Sequence, residues 1–93
     1  VSDVTSIARS EFGIPRNIKG ALVTNVERGS PSDLAELARG DVITSIERKS
    51  VQSAGDAVEL SERIQKQTVL LRVWCRGAGS RFVVVDSSED RRR

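Results

Sequence analysis

Apolar and polar positions follow two different periods along the chain, and each change of period marks an element. Val1 to Val4 is a short β-capable run. In Thr5 to Phe12 (TSIARSEF), Ile7, Ala8 and Phe12 stand at helical spacing before Gly13 and Pro15 end the pattern, so a strand and then a short helix are expected. After the polar linker Arg16 to Lys19, Gly20 to Glu27 (GALVTNVE) has the make-up of a strand, turned at Gly29. Ser30 suits a helix N-cap because its hydroxyl can accept from an early orphan amide. Pro31 suits the first helical position, and Asp33 complements the positive helix end. A short helix over about Pro31 to Leu37 is expected, closed at Gly40, where no Cβ opposes a positive φ.

Asp41 to Glu47 (DVITSIE) alternates as a strand, and Arg48-Lys49 reads as a tight turn into the extended pair Ser50-Val51. Ser53 can cap the longest helix, about Ala54 to Gln65, whose Ala57, Leu60 and Ile64 form one core-facing stripe. With those three inward, Ala54, Val58 and Ser61 lie on the adjacent helical edge, Glu62 beside them. Thr68 to Arg76 and Ser80 to Asp86 are strands joined by Gly77-Ala78-Gly79 as a hairpin. On the first of them Val69, Leu71, Val73 and Cys75 share the core face. Trp74 is placed opposite with Leu70, Arg72 and Arg76, half-exposed between two guanidinium groups, where it either docks a neighbouring domain or covers the outer sheet. Short strands outnumber helices and stand too close for βαβ crossovers. The fold class is therefore α+β, mainly β: a small, partly open antiparallel barrel or sandwich capped by two or three helices.

Composition narrows the function. The 93 residues allow one modest core, expected over 1–86, with 87–93 as a flexible polar tail. Without Glu89-Asp90 and Arg91-Arg92-Arg93 the body holds 12 basic and 11 acidic residues, a balance that argues against a phosphate-binding surface. No stretch approaches the roughly 20 apolar residues of a membrane-spanning helix. There is no histidine, which removes a serine–histidine–aspartate triad and any imidazole base for the single Cys75. One cysteine forms no internal disulfide and no metal cluster. No catalytic residue, metal ligand or cofactor is therefore expected, and the start at Val1 reads as an internal piece of a longer protein.

Gly20-Ala21-Leu22-Val23-Thr24-Asn25-Val26-Glu27-Arg28-Gly29-Ser30-Pro31-Ser32, followed by Gly40-Asp41-Val42-Ile43, closely resembles PDZ domains, with their strand, Gly-Ser-Pro helix cap and Gly-Asp-Val-Ile strand opening. Phe12-Gly13-Ile14-Pro15 just ahead is similar to the HtrA-like serine protease subgroup. The resemblance implies the HtrA-type strand order, in which Arg81 to Val85 takes the place an N-terminal strand fills in many animal PDZ domains. Two positions depart from the pattern: Glu36 stands where glycine is usual, and Glu47-Arg48 replaces an asparagine-glycine turn.

The resemblance further implies a module that binds extended polypeptide C-termini by β-strand addition beside Val1, Ser2, Asp3 and Val4, with the peptide's side chains against Ala54, Val58 and Ser61 and Glu62 at the rim. The expected partners are C-terminal or unfolded segments with apolar ends and an attached protease domain, acting in protein quality control in a bacterial periplasm or envelope. Nucleic acid and membrane insertion are not expected, and oligomers would arise through the parent protein. The carboxylate-gripping loop of the family belongs just upstream of Val1. A second reading is a structural interaction or oligomerisation domain of a secretion or envelope assembly, its groove unused.

Overall fold

Thr5 ends the opening strand and starts the first helix in one step: its side-chain oxygen accepts the Ala8 amide at 3.1 Å. In the computed structural model, which describes residues 1–26, 28–29, 36–63 and 68–86, strand β1 is Ser2–Asp3 and helix α1 is Ser6–Phe12. Gly13 closes α1 in the left-handed conformation, its amide returning to the Arg9 carbonyl. Strands β2 (Ala21–Leu22), β3 (Val42–Ile46) and β4 (Lys49–Ser50) follow, then helix α2 (Ala54–Arg63) and the long hairpin β5 (Thr68–Cys75) and β6 (Gly79–Asp86). The strands form one six-stranded antiparallel sheet in the order β1-β2-β3-β5-β6, with β4 added to β3. This is the expected mainly β class with a C-terminal strand at the sheet edge.

Several elements are shorter than the hydrophobic pattern suggested. The strand expected over Gly20 to Glu27 keeps two regular residues among those described, although the Val23 amide still donates to the Asp41 carbonyl at 2.8 Å and the Gly40 amide to the Val23 carbonyl at 2.9 Å. The helix expected over 31–37 falls mainly outside the described residues, as do Ile64 and Gln65 of the long helix and the tail 87–93. Where β3 begins, Asp41 fixes the turn before it: its Oδ2 accepts the Ala38 amide at 3.0 Å from an almost fully buried position.

Glu47 and Arg48 make the β3–β4 turn, one residue earlier than the Arg48-Lys49 turn read from the pattern and at the two positions the family resemblance marked, with φ 49° and 68°. Two consecutive left-handed residues are what a hairpin twist needs, and asparagine-glycine is the usual way to get them. Glu47 is held there by other means. Its amide donates to the Leu70 carbonyl at 2.8 Å and its Oε2 accepts the Leu70 amide at 2.7 Å, so the side chain extends the sheet across the gap between β3 and β5.

Both faces of the sheet carry packed elements, the second face only in part. On one face α2 lays Ala57 and the partly buried Leu60 over Ile43, Ile46, Leu71, Val73 and Val83, the expected stripe against the expected strand face, with Cys75 partly buried beside it. On the other face Trp74 packs with Ala8, Ile14, Leu22 and Val42. Trp74 is only 8% exposed, which corrects the half-exposed position expected from alternation. Alternation assigns it to the outer face, but α1 and the loop after it cover that half of the face. Arg9 pins the cover: its Nη1 donates to the carbonyls of Pro15 at 2.6 Å and Ile18 at 2.8 Å. Ile7, expected to share the buried side of α1, is 79% exposed, since Ala8 and Phe12 face the sheet instead. Arg72 stacks not on Trp74 but on Phe82, its neighbour across the hairpin, with the guanidinium 5.9 Å from the ring centroid.

Candidate functional site

Strand β1 is paired on one side only, Ser2 with Leu22 and Asp3 with Ala21, and its position at the end of the sheet leaves its other edge without a partner strand among the described residues. Helix α2 lies near that edge. Ser53 caps the helix, its Oγ accepting the Asp56 amide at 3.1 Å, while Asp56 Oδ2 accepts the Gln52 amide at 3.1 Å. Asp3 adds a third cap from outside: its Oδ1 accepts the Ala54 amide at 2.8 Å.

A cleft of about 400 Å3 opens where β1, α2 and the sheet meet, lined by Val1, Leu37, Val58, Ser61, Glu62 and Val85 among others. Ile43, Ile46, Ala57, Val69 and Leu71 bring the main core to its wall. Val58 and Val1 are about half exposed there, 50% and 54%, an arrangement that leaves apolar surface for a ligand to cover. Ser61 contributes little free polarity, because its hydroxyl already donates to the Ala57 carbonyl at 2.7 Å. Glu62 is the one charged residue in the lining.

Of the residues singled out beforehand, the structure brings Val1, Val58 and Ser61 to this cleft, with Glu62. Ser2 and Asp3 form the strand beside it without lining it, Val4 packs against the Trp74 cluster, and Ala54 sits at the helix start bonded to Asp3. Leu37, Val69 and Val85 were not anticipated. Leu37 comes from a loop, and Val69 and Val85 are cross-strand partners in the β5–β6 hairpin; of the three, only Val69 had an inward face assigned to it, by the alternation in β5.

Away from the cleft, Arg81 Nε donates to the Cys75 sulfur at 3.4 Å and its Nη2 to the Glu36 carbonyl at 3.2 Å. The hydrogen bond to Cys75 is the chief reason the Arg81 pKa is raised, a shift without consequence for a side chain protonated at any working pH. Among the described residues no three metal-ligating side chains cluster, and no helix is long and apolar enough to cross a membrane.

A family model for the PDZ domain matches residues 22–74, more than half of the chain. The chain is 32% identical over 89 residues to a "Probable periplasmic serine endoprotease DegP-like" of Chlamydia trachomatis, covering 96% of this chain and 18% of that protein. It is 30% identical, with the same coverage, to the protein of the same description in Chlamydia muridarum. It is also 40% identical over 63 residues to "Serine protease HTRA1" of Xenopus laevis, covering 68% of this chain and 13% of that protein. The chain thus spans under a fifth of the length of these relatives. With a one-sided edge strand, a helix beside it and an antiparallel sheet ending in the C-terminal strand, the chain belongs to the PDZ domain family, as a non-catalytic domain of the HtrA type.

Proposed function

We propose that this domain captures the C-terminal end of a polypeptide by adding it as a strand along β1, with an apolar terminal side chain in the cleft beside Val58. The observation that carries the reading is the edge of β1, unpaired among the described residues, lying next to an apolar cleft roomy enough for such a side chain. Backbone pairing makes capture tolerant of sequence, while the cleft selects the end. Val1 shares the cleft with Ser61 and Glu62, and Asp3 meets Ala54, so β1 and α2 run antiparallel and a peptide antiparallel to β1 ends near Val1. The family's carboxylate-gripping loop would then precede Val1. In the parent protein the domain recruits or senses unfolded chain ends for an attached serine protease, in a bacterial periplasm as the names of two relatives indicate for those proteins.

The test is fluorescence anisotropy with a labelled decapeptide ending in leucine, against the chain extended upstream of Val1. Saturable micromolar binding is expected, abolished by C-terminal amidation and weakened at least about tenfold by Val58→Lys, which places a charge in an apolar contact. A folded protein that ignores free and amidated peptides alike supports the second reading, an assembly domain with an unused groove.

A further inference from the structure

The sheet face that α1 leaves open carries a second surface of opposite character to the peptide cleft. Along β6, Val83 points into the core while Phe82 and Val84 point out, 66% and 57% exposed. Arg72 lies over Phe82, and next to them a shallow cleft of about 340 Å3 is lined by Phe82, Arg72, Arg48, Thr44, Ser45 and Ser50. Arg72, Thr44 and Ser50 also line an adjoining cleft of about 290 Å3 whose one other charged residue is Lys19. Neither cleft has an acidic residue in its lining, and neither Arg48 nor Arg72 forms an ion pair among the described residues. The peptide cleft, by contrast, has Glu62 as its one charge.

We infer that this face is a docking surface for an acidic polypeptide segment, one that sets an apolar side chain on Phe82 and carboxylates against Arg48, Arg72 and Lys19. Charge complementarity selects the occupant. Guanidinium groups pair carboxylates through two parallel hydrogen bonds, and a guanidinium stacked on an aromatic ring is already oriented to do so. Three cations fall well short of the six to ten phosphate contacts by which nucleic-acid binders gain their affinity, at about one released counterion per contact. An exposed Phe82–Val84 pair on the outer face of β6 suits a protein side chain, since aromatic and arginine residues anchor protein interfaces. The same segment is repelled by Glu62 from the peptide cleft, so the two surfaces select different partners.

The experiment is a titration of the isotopically labelled 93-residue chain with the peptide Glu-Asp-Leu-Phe-Asp-Glu, acetylated and amidated so that it offers no terminal carboxylate, followed by amide NMR. The expected result is saturable shifts at Arg48, Arg72, Phe82 and Val84 with Val58 and Ser61 unmoved, and a loss of affinity of about tenfold on raising NaCl from 0.05 to 0.5 M. The variant Arg48→Asn/Arg72→Gln, both changes at exposed sites and the first suited to positive φ, should weaken binding at least about fivefold with an unchanged spectrum elsewhere, and Phe82→Ser should do the same. No shifts on this face overturn the inference, as does equal binding of the Lys-Arg-Leu-Phe-Arg-Lys counterpart. Tighter binding at the same residues by a twelve-base single-stranded oligonucleotide or by phosphatidylserine vesicles also overturns it, in favour of those partners.

Discussion

Asp3 Oδ1 accepts the amide hydrogen of Ala54 at 2.8 Å, joining residues 51 positions apart across one end of the cleft between β1 and α2. A helix begins with amides that have no partner inside it, and here one of them is satisfied by the strand beside the groove. The bond sets the distance between the two walls at one end, while at the Val1 end the walls are separated by the cleft itself.

Removing that carboxylate should therefore loosen both fold and groove. Asp3→Ala is expected to cost about 0.5–2 kcal/mol, as loss of a helix cap does, and Asp3→Asn less, because it keeps an acceptor oxygen. Urea denaturation of the two variants measures the order. Equal losses would mean that charge rather than the hydrogen bond matters.

Trp74 should prove a core residue. Truncating it to alanine empties the centre of the cluster formed with Ala8, Ile14, Leu22 and Val42 and is expected to cost about 3–5 kcal/mol. For a domain of this size, each kcal/mol lowers the thermal midpoint by about 4–8 °C. Trp74→Phe, which refills most of the volume, should lose much less. Calorimetry of both variants checks this, and a small loss in Trp74→Ala would return the indole to the surface role first expected of it.

Two glycines that look alike in the sequence should respond differently to alanine. A Cβ on Gly20 would overlap the Ile43 carbonyl oxygen, backbone that cannot swing away, and press on the Val42 side chain at Cγ1, 3.1 Å off, so Gly20→Ala should cost about 3 kcal/mol or more. A Cβ on Gly29 meets nothing within 4 Å among the described residues, and its φ of 81° makes the change unfavourable, by about 1–2 kcal/mol. Chemical denaturation should separate them clearly.

The Glu47-Arg48 turn offers a gain. Arg48 at φ 68° carries the left-handed penalty that glycine avoids, and after the extra chain entropy glycine loses on folding, Arg48→Gly should stabilise by about 0.5 kcal/mol. Glu47→Asn should not help despite its turn propensity, since it gives up the carboxylate contact to the Leu70 amide. Thermal melts of the two single variants test the pair.

Local pattern determined much of this protein: the order of strands and helices, the Thr5-to-Gly13 helix with its cap and stop, Ser53 at the start of α2, and the inward faces of α2 and β5. Each depends on residues within a few positions of one another, where helical or strand period and capping chemistry act directly. The helical edge bearing Val58 and Ser61 was legible for the same reason, as the strip next to the Ala57–Leu60 stripe. What the tertiary structure decided was which surfaces found a cover. Alternation could put Trp74 and Phe82 on the same side of the sheet, but only the docking of α1, held by Arg9 on the Pro15 and Ile18 carbonyls, buries one and leaves the other exposed. The cleft beside Val58 was decided in the same way. Leu37 reaches it from a loop and the paired Val69 and Val85 from the β5–β6 hairpin, and Asp3 caps a helix it precedes by half the sequence, contacts whose cause is packing between elements and not the period of any one of them.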